Sequence, residues 1–200
     1  MSQPWQLLSS EPVGDFRIFN LRSDRKISPR TGVAHDFYVI ETVDWVNVIA
    51  ITTTGKLVMI DQFRHGSNTT EAEVPGGMMD KDDTDPVKAA IRELREETGY
   101  EGATATLIGR IYPNPAIMNN CCYTVLIEGC ELKHAVEFDP GEDLVTRLVE
   151  EREIPGLIRS GQIGHALVVV ALQYYQLWKS APRAMTEGGG VISSTPVHLG

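Results

Sequence analysis

Asp85, Pro86 and Gly99 bracket one segment so closely that they settle its conformation before the rest of the chain is considered. An aspartate can accept a hydrogen bond from a free first-turn N–H, and a proline at the first helical position loses nothing by lacking its own. A glycine supplies the left-handed residue that ends a helix. These signals predict a helix from Pro86 to about Thr98, carrying Glu93, Glu96 and Glu97 among the arginines Arg92 and Arg95. At about 100° per residue, Glu93 and Glu97 lie about 40° apart and Glu96 about 60° to the other side of Glu93. The three carboxylates are therefore expected on one exposed face, with Ala89, Ala90, Ile91 and Leu94 on the opposite and flanking arcs. Two readings of that face are open. Arg92 and Arg95 neutralise it as on any wet helix, Arg92 and Glu96 having i,i+4 spacing. Otherwise it serves a hard divalent cation, Mg²⁺ or Mn²⁺, which prefers carboxylate oxygen.

At 200 residues and 42% hydrophobic, the chain has material for one substantial core with a small appendage, and two full domains are not expected. A formal net charge of -9 argues against a nucleic-acid partner, because a polyanion would be repelled. A small anionic substrate stays compatible if a metal ion and a few arginines offset the charge. No run of 18 apolar residues is present, so no membrane span is expected, and the start MSQPWQLLSSEPVGDF does not read as a secretory signal. Cys121, Cys122 and Cys130 form neither an even disulfide set nor a zinc spacing, which predicts reduced strand residues in a cytoplasmic protein.

The first forty residues alternate β-like runs with turn signals, FRIFNLRSD and AHDFYVIET flanking RKISPRTG. VNVIAITTTGKLVMIDQF reads as a hairpin about Thr54-Gly55. EAEVPGG ends a short strand in a glycine-rich turn, followed by a polar loop, MMDKDDTD. Beyond the acidic helix, ATLIGRIY, CCYTVLIEGC and EDLVTRLVE read as strands, with PNPAIMNN a loop. EIPGLIRSG then predicts a short helix stopped by Gly161, and IGHALVVVALQYYQLWK a longer one. The expected domains are an N-terminal β extension over 1–42, a main domain over 43–180, and a flexible or weakly docked tail over 181–200. The pattern is mixed α/β, with strands spaced too irregularly for a doubly wound parallel sheet.

From Gly77 through MMDKDDTDPVKAAIRELREETGY the chain resembles the Nudix box, and Arg92, Glu93, Leu94, Glu96, Glu97, Gly99 and Tyr100 match its second half at every defined position. The first half departs: one residue is extra between Gly77 and Arg92, and Thr84 stands where the box has a glutamate, with Asp82 and Asp83 beside it. GKLVMIDQFRHG and TEAEVPGG, the proline-containing loop, DPGEDLVTRLV and the closing helix are similar to the branch that cleaves ADP-ribose and nucleoside diphosphate sugars, so the likeness covers roughly residues 43 to 180.

That resemblance implies an α/β/α sandwich around a mixed sheet, paired into a homodimer through the N-terminal strands. It also implies Mg²⁺-dependent hydrolysis of a pyrophosphate bond, yielding a nucleoside monophosphate and a sugar phosphate. The alternatives are a nucleoside triphosphate or dinucleoside polyphosphate pyrophosphohydrolase, or a non-catalytic nucleotide sensor. By the same resemblance the metal ligands are Glu93, Glu96, Glu97 and the Gly76 carbonyl, Arg92 orients a glutamate, and Glu142 is the general base with Glu137 in reserve. Arg64 is expected to hold a phosphate oxygen, since guanidinium suits that task. Trp45, Tyr38 and Phe37 are aromatic candidates for stacking a base, while His65 and His165 are expected to be structural or rim residues.

Overall fold

The computed structural model describes residues 3–80, 82–181 and 197–198. Most of the predicted tail therefore lies outside the described residues. The chain divides into two compact units, Met1–Asp44 with Ile111–Cys121, and Trp45–Arg110 with Cys122–Gly200.

The first unit is a three-stranded antiparallel meander of β1 (Gln6–Asp15), β2 (Asn20–Ile27) and β3 (Ala34–Glu41). RKISPRTG makes the expected connection, Gly32 N–H reaching Ser28 O at 2.9 Å. Phe16 to Phe19, read as strand from sequence, instead turns β1 into β2, and the turn is closed by Phe16 N–H to Phe19 O at 2.9 Å. The loop around PNPAIMNN runs beside β3, with Ile40 N–H donating to Ile117 O at 2.7 Å. Asp24, 2% exposed, pins the sheet. Burial opposes its ionisation, but donors from Arg22, Ser10 and Lys26 hold it well below the usual carboxylate range.

The second unit is built on a mixed sheet of nine strands among the described residues. Its main strands are β4 (Trp45–Thr52), β5 (Leu57–Arg64), β6 (Thr69–Glu73), β7 (Gly76–Met78), β8 (Tyr100–Glu101), β9 (Thr104–Ile111), β10 (Cys122–Leu132), β11 (Leu144–Val149) and β12 (Val197–His198). The spine runs β11-β5-β4-β10-β9-β12, with β4 and β10 parallel and β4 and β5 joined by the Thr54-Gly55 hairpin. Within the tail, β12 pairs antiparallel to β9.

Period-two alternation sends successive side chains to opposite faces, and the core divides accordingly. Val46, Val48, Ala50, Val58, Val125 and Ile127 pack with Ala89, Ala90 and Leu94 of α1 (Pro86–Thr98). Ile49, Leu57, Met59 and Leu126 pack against Ile154 of α2 (Ile154–Arg159) and Val168, Ala171 and Leu172 of α3 (Ala166–Ser180). The result is the α/β/α sandwich the resemblance implies. All three cysteines are free and buried, and burial pushes the Cys130 thiol up to about 12. No described helix is long and apolar enough to cross a membrane.

One local expectation changes. Gly76 and Gly77 do not form a turn but the short strand β7, antiparallel to β4 with Gly76 opposite Asn47. The reason is close approach: a Cβ at Gly76 would stand 2.2 Å from the Val46 carbonyl oxygen, at a φ of 156°. Gly76→Ala is therefore expected to push β7 off β4 and cost about 1–3 kcal/mol, checked by denaturant unfolding. An unchanged midpoint would show that β7 is not clamped there.

Candidate active site

α1 starts and stops as its sequence requires. Asp85 accepts from Val87 N–H at 2.9 Å, Pro86 opens the first turn, and Gly99, at φ 73°, donates to Arg95 O at 2.8 Å. A side chain at Gly99 would meet the His134 carbonyl oxygen at 2.3 Å, so the stop is also a docking point for the loop that follows β10.

The orientation of the acids corrects the expected exposed face. Glu93 is 7% and Glu97 2% exposed, and both lie among Ala89, Ala90 and Leu94 on the side that meets the sheet. At helical spacing their directions fall within the arc those apolar residues span, so acid and core share one face. Glu97 Oε2 accepts from Gly76 N–H at 2.9 Å, which ties α1 to β7. Arg92 sits 3.0 Å from both Glu93 Oε1 and Glu96 Oε2, and Glu96 is the most exposed of the three acids. Asp83 and Asp80 contact the same guanidinium at 3.5 and 3.7 Å.

Burial is the main cause pushing the Glu93 carboxyl up, to about 7; Arg92 pulls it down while Glu96 and Glu142 push it further up. Burial likewise carries Glu97 to about 8, opposed by the Gly76 N–H and by Arg64 and reinforced by Glu93 and Glu142. The helix thus holds two acids whose negative charges its surroundings do not balance.

Glu142 belongs to the loop before β11. Its backbone N–H donates to Asp139 O at 2.9 Å and its carboxylate accepts from Asp139 N–H at 3.0 Å, closing a compact turn. Its charge helps push the Glu93 and Glu97 carboxyls and the Arg64 guanidinium up. Glu137 is engaged elsewhere: its side chain pairs with Arg95 at 3.2 Å and its N–H donates to Glu96 O at 2.8 Å.

Arg64 ends β5 on the face that Val58 shares with α1. Its Nε and Nη2 form a fork on Glu73, at 2.7 and 2.8 Å. Glu73 is 2% exposed; burial opposes its ionisation, but Arg64 and His165 bring it down to about 2. Glu73 is the residue sequence reasoning passed over. Its signal was an acid set between Ala72 and Val74, two positions after Glu71 and nine after an arginine.

The aromatic candidates separate. Alternation along β4 sets Trp45 with Asn47 and Ile49 on the α3 face, opposite α1. Tyr38, 59% exposed, and Phe37, packed edge-on to Trp5 at 5.2 Å, belong to the other unit's β3. His65 stacks edge-on with Phe63 at 5.3 Å, and His165 Nδ1 lies 3.2 Å from Glu73 Oε2.

A hard divalent cation suits a donor set of carboxylate oxygen, two of whose members are buried and pushed up by that burial. Among the described residues, no three such side chains converge as metal ligands in this arrangement. Glu97 turns to Gly76 N–H, while Glu93 and Glu96 turn to Arg92.

The NUDIX domain family model matches residues 43–168. An ADP-ribose pyrophosphatase of Bacillus subtilis (strain 168) is 33% identical over 133 residues, 66% of this chain and 71% of that protein. A methanol dehydrogenase activator of Bacillus methanolicus is 29% identical over 173 residues, 85% of this chain and 91% of its own. Among solved structures, that of an ADP compounds hydrolase aligns with a TM-score of 0.78 at 21% identity, over 89% of this chain and 95% of that one, which supports the fold. With a family match over most of the chain, an intact run from Arg92 to Tyr100 and the sandwich around it, the chain belongs to the NUDIX family, in its ADP-ribose pyrophosphatase branch, and is a pyrophosphohydrolase.

Proposed function

We propose that the protein hydrolyses the pyrophosphate bond of a nucleoside diphosphate sugar, ADP-ribose first, to a nucleoside monophosphate and a sugar phosphate. The observation carrying this reading is the pair Glu93 and Glu97, two acids buried on α1 beneath β7, where burial outweighs the help that Arg92 gives Glu93 and Gly76 N–H gives Glu97. Glu93, Glu96 and Glu97, with the Gly76 carbonyl, would hold Mg²⁺ or Mn²⁺. When bound, such a cation supplies positive charge that draws off the negative charge of the diphosphate and eases ionisation of the attacking water.

Arg92 keeps Glu93 and Glu96 aligned, and Gly76 N–H does the same for Glu97. Arg64 presents a guanidinium to the diphosphate, its orientation set by Glu73. Glu142, on its turn before β11, takes the proton from the attacking water as general base. The relative of known activity in Bacillus subtilis supports ADP-ribose as the first assay, with GDP-mannose as the second. Incubating a panel of nucleotide sugars, nucleoside triphosphates and dinucleoside polyphosphates with Mg²⁺ in ¹⁸O-water identifies both substrate and attacked phosphorus. Label in a nucleoside monophosphate or sugar phosphate supports the reading; turnover confined to triphosphates, or tight binding without product, refutes it.

We further propose that the protein works as a homodimer in the cytoplasm, without nucleic acid. β1 has nearly every residue exposed, and Leu7, Val13, Phe16 and Ile18 are each more than half exposed, so this sheet lacks a core of its own. A second copy would cover it. Leu7→Glu with Val13→Glu is expected to shift sedimentation from dimer to monomer in analytical ultracentrifugation; a dimer of undiminished stability would remove that face from the interface. The free cysteines fit a reducing compartment, and the charge of -9 opposes a polyanion.

A further inference from the structure

The roles above leave His165 unused, although it faces the buried acid that fixes Arg64. We propose that His165 is a positioning residue: from the start of α3 its imidazole sets the plane of the Glu73 carboxylate, which in turn holds the Arg64 guanidinium toward the α1 acids. The inference rests on the reading of Arg64 as the group that receives the diphosphate.

The geometry is a chain of three side chains. Arg64 Nε and Nη2 occupy Glu73 Oε1 and Oε2, which leaves Nη1 outside the fork. A carboxylate gripped by one guanidinium can still swing with it, and a further donor on Oε2 stops that motion. His165 Nδ1 is buried and lies 3.2 Å from Oε2, close enough to bear on that oxygen although the ring is not aligned on it as a full hydrogen bond.

The backbone that carries His165 is fixed on both sides. Before it, Ala72 N–H donates to Gln162 O and Gly164 N–H to Glu71 Oε2, each at 3.0 Å, so residues 162–164 run along the outer edge of β6. Ile163, 2% exposed, anchors the same stretch in the core. After it, Asn47 Nδ2 donates to Leu167 O at 3.1 Å, and Asn47 is the residue paired with Gly76. The first turn of α3 is thereby bound to both strands that flank the acids, β6 with Glu73 and β4 opposite β7.

The test compares the parent with His165→Leu, which deletes the donor, and His165→Asn, whose amide nitrogen reaches nearly the same point as Nδ1. Exchange of the Arg64 Nε–H proton, followed by ¹H–¹⁵N NMR, is expected to speed up at least about fivefold in His165→Leu and to stay near the parent in His165→Asn. With ADP-ribose and Mg²⁺, His165→Leu should raise KM about fivefold with kcat within about twofold, the pattern of lost ground-state binding. In an Arg64→Lys background the same change should add nothing, because the effect passes through Arg64. Unchanged exchange in His165→Leu, equal impairment in the Leu and Asn variants, or full additivity with Arg64→Lys would overturn the proposal. If the exchange responds as expected but no variant, the parent included, turns over any nucleotide sugar, the positioning role stands and the substrate reading falls.

Discussion

Glu97→Gln is expected to lower turnover on the order of 10²- to 10⁴-fold and, without added metal, to make the fold more stable. Both effects come from one charge. Glu97 is 2% exposed, and its carboxyl is pushed up to about 8, first by burial and then by Glu93 and Glu142. A carboxylic acid whose folded value exceeds its unfolded one makes the folded state bind more protons, so its contribution falls as pH rises from about 5 towards 8. Glutamine retains an acceptor for Gly76 N–H and removes the charge. About 1–3 kcal/mol of stability, or roughly 3–8 °C in Tm, should be gained at pH 8, and almost none at pH 5. Thermal unfolding of parent and variant at the two pH values, alongside an ADP-ribose assay, checks both. Parent-like activity removes Glu97 from the metal shell, and a variant less stable at pH 8 contradicts the uncompensated charge.

Glu142→Gln should reduce kcat by about 10²- to 10⁴-fold with KM nearly unchanged. The turn that presents this residue does not need its negative charge, since a glutamine oxygen also accepts from Asp139 N–H. Loss of the base therefore does not require loss of the loop. The variant also relieves the repulsion that Glu142 exerts on Glu93 and Glu97, so affinity for the diphosphate should not suffer from added negative charge. Steady-state kinetics with ADP-ribose and Mg²⁺ provide the check: kcat should fall while KM stays near the parent value. An unaltered kcat would reassign the base, and Glu137 would not inherit the role easily, being paired with Arg95.

Local signals were the most legible part of the sequence. Asp85, Pro86 and Gly99 delimit α1 because caps act over one turn of chain, and the Thr54-Gly55 hairpin and both late helices follow from equally short-range chemistry. The direction of the acidic face was not legible. Helical spacing gave the relative angles of Glu93, Glu96 and Glu97, but charge alone argued for solvent, whereas the sheet and Gly76 N–H bury two of them. Gly76 and Gly77 read as a turn because glycine pairs mark turns; the close approach of the Val46 carbonyl, a contact across thirty residues, requires glycine there for another reason. The Arg64, Glu73 and His165 cluster joins positions nine and ninety-two residues apart from Glu73, and no local pattern announces such a group. β1 was missed because Leu7 and Leu8 stand side by side and Ser9, Ser10, Glu11 and Pro12 follow them, so no period-two alternation marks a strand that has no buried face of its own.

The most direct test of the claim that the α1 acids hold divalent cation beneath a diphosphate is an anomalous difference map. Crystals grown with Mn²⁺ and a non-hydrolysable ADP-ribose analogue should show a peak within about 2.3 Å of carboxylate oxygens of Glu93 and Glu97 and against the analogue's diphosphate. A bound analogue with no peak there, and with Glu97 still turned to Gly76 N–H, would contradict it.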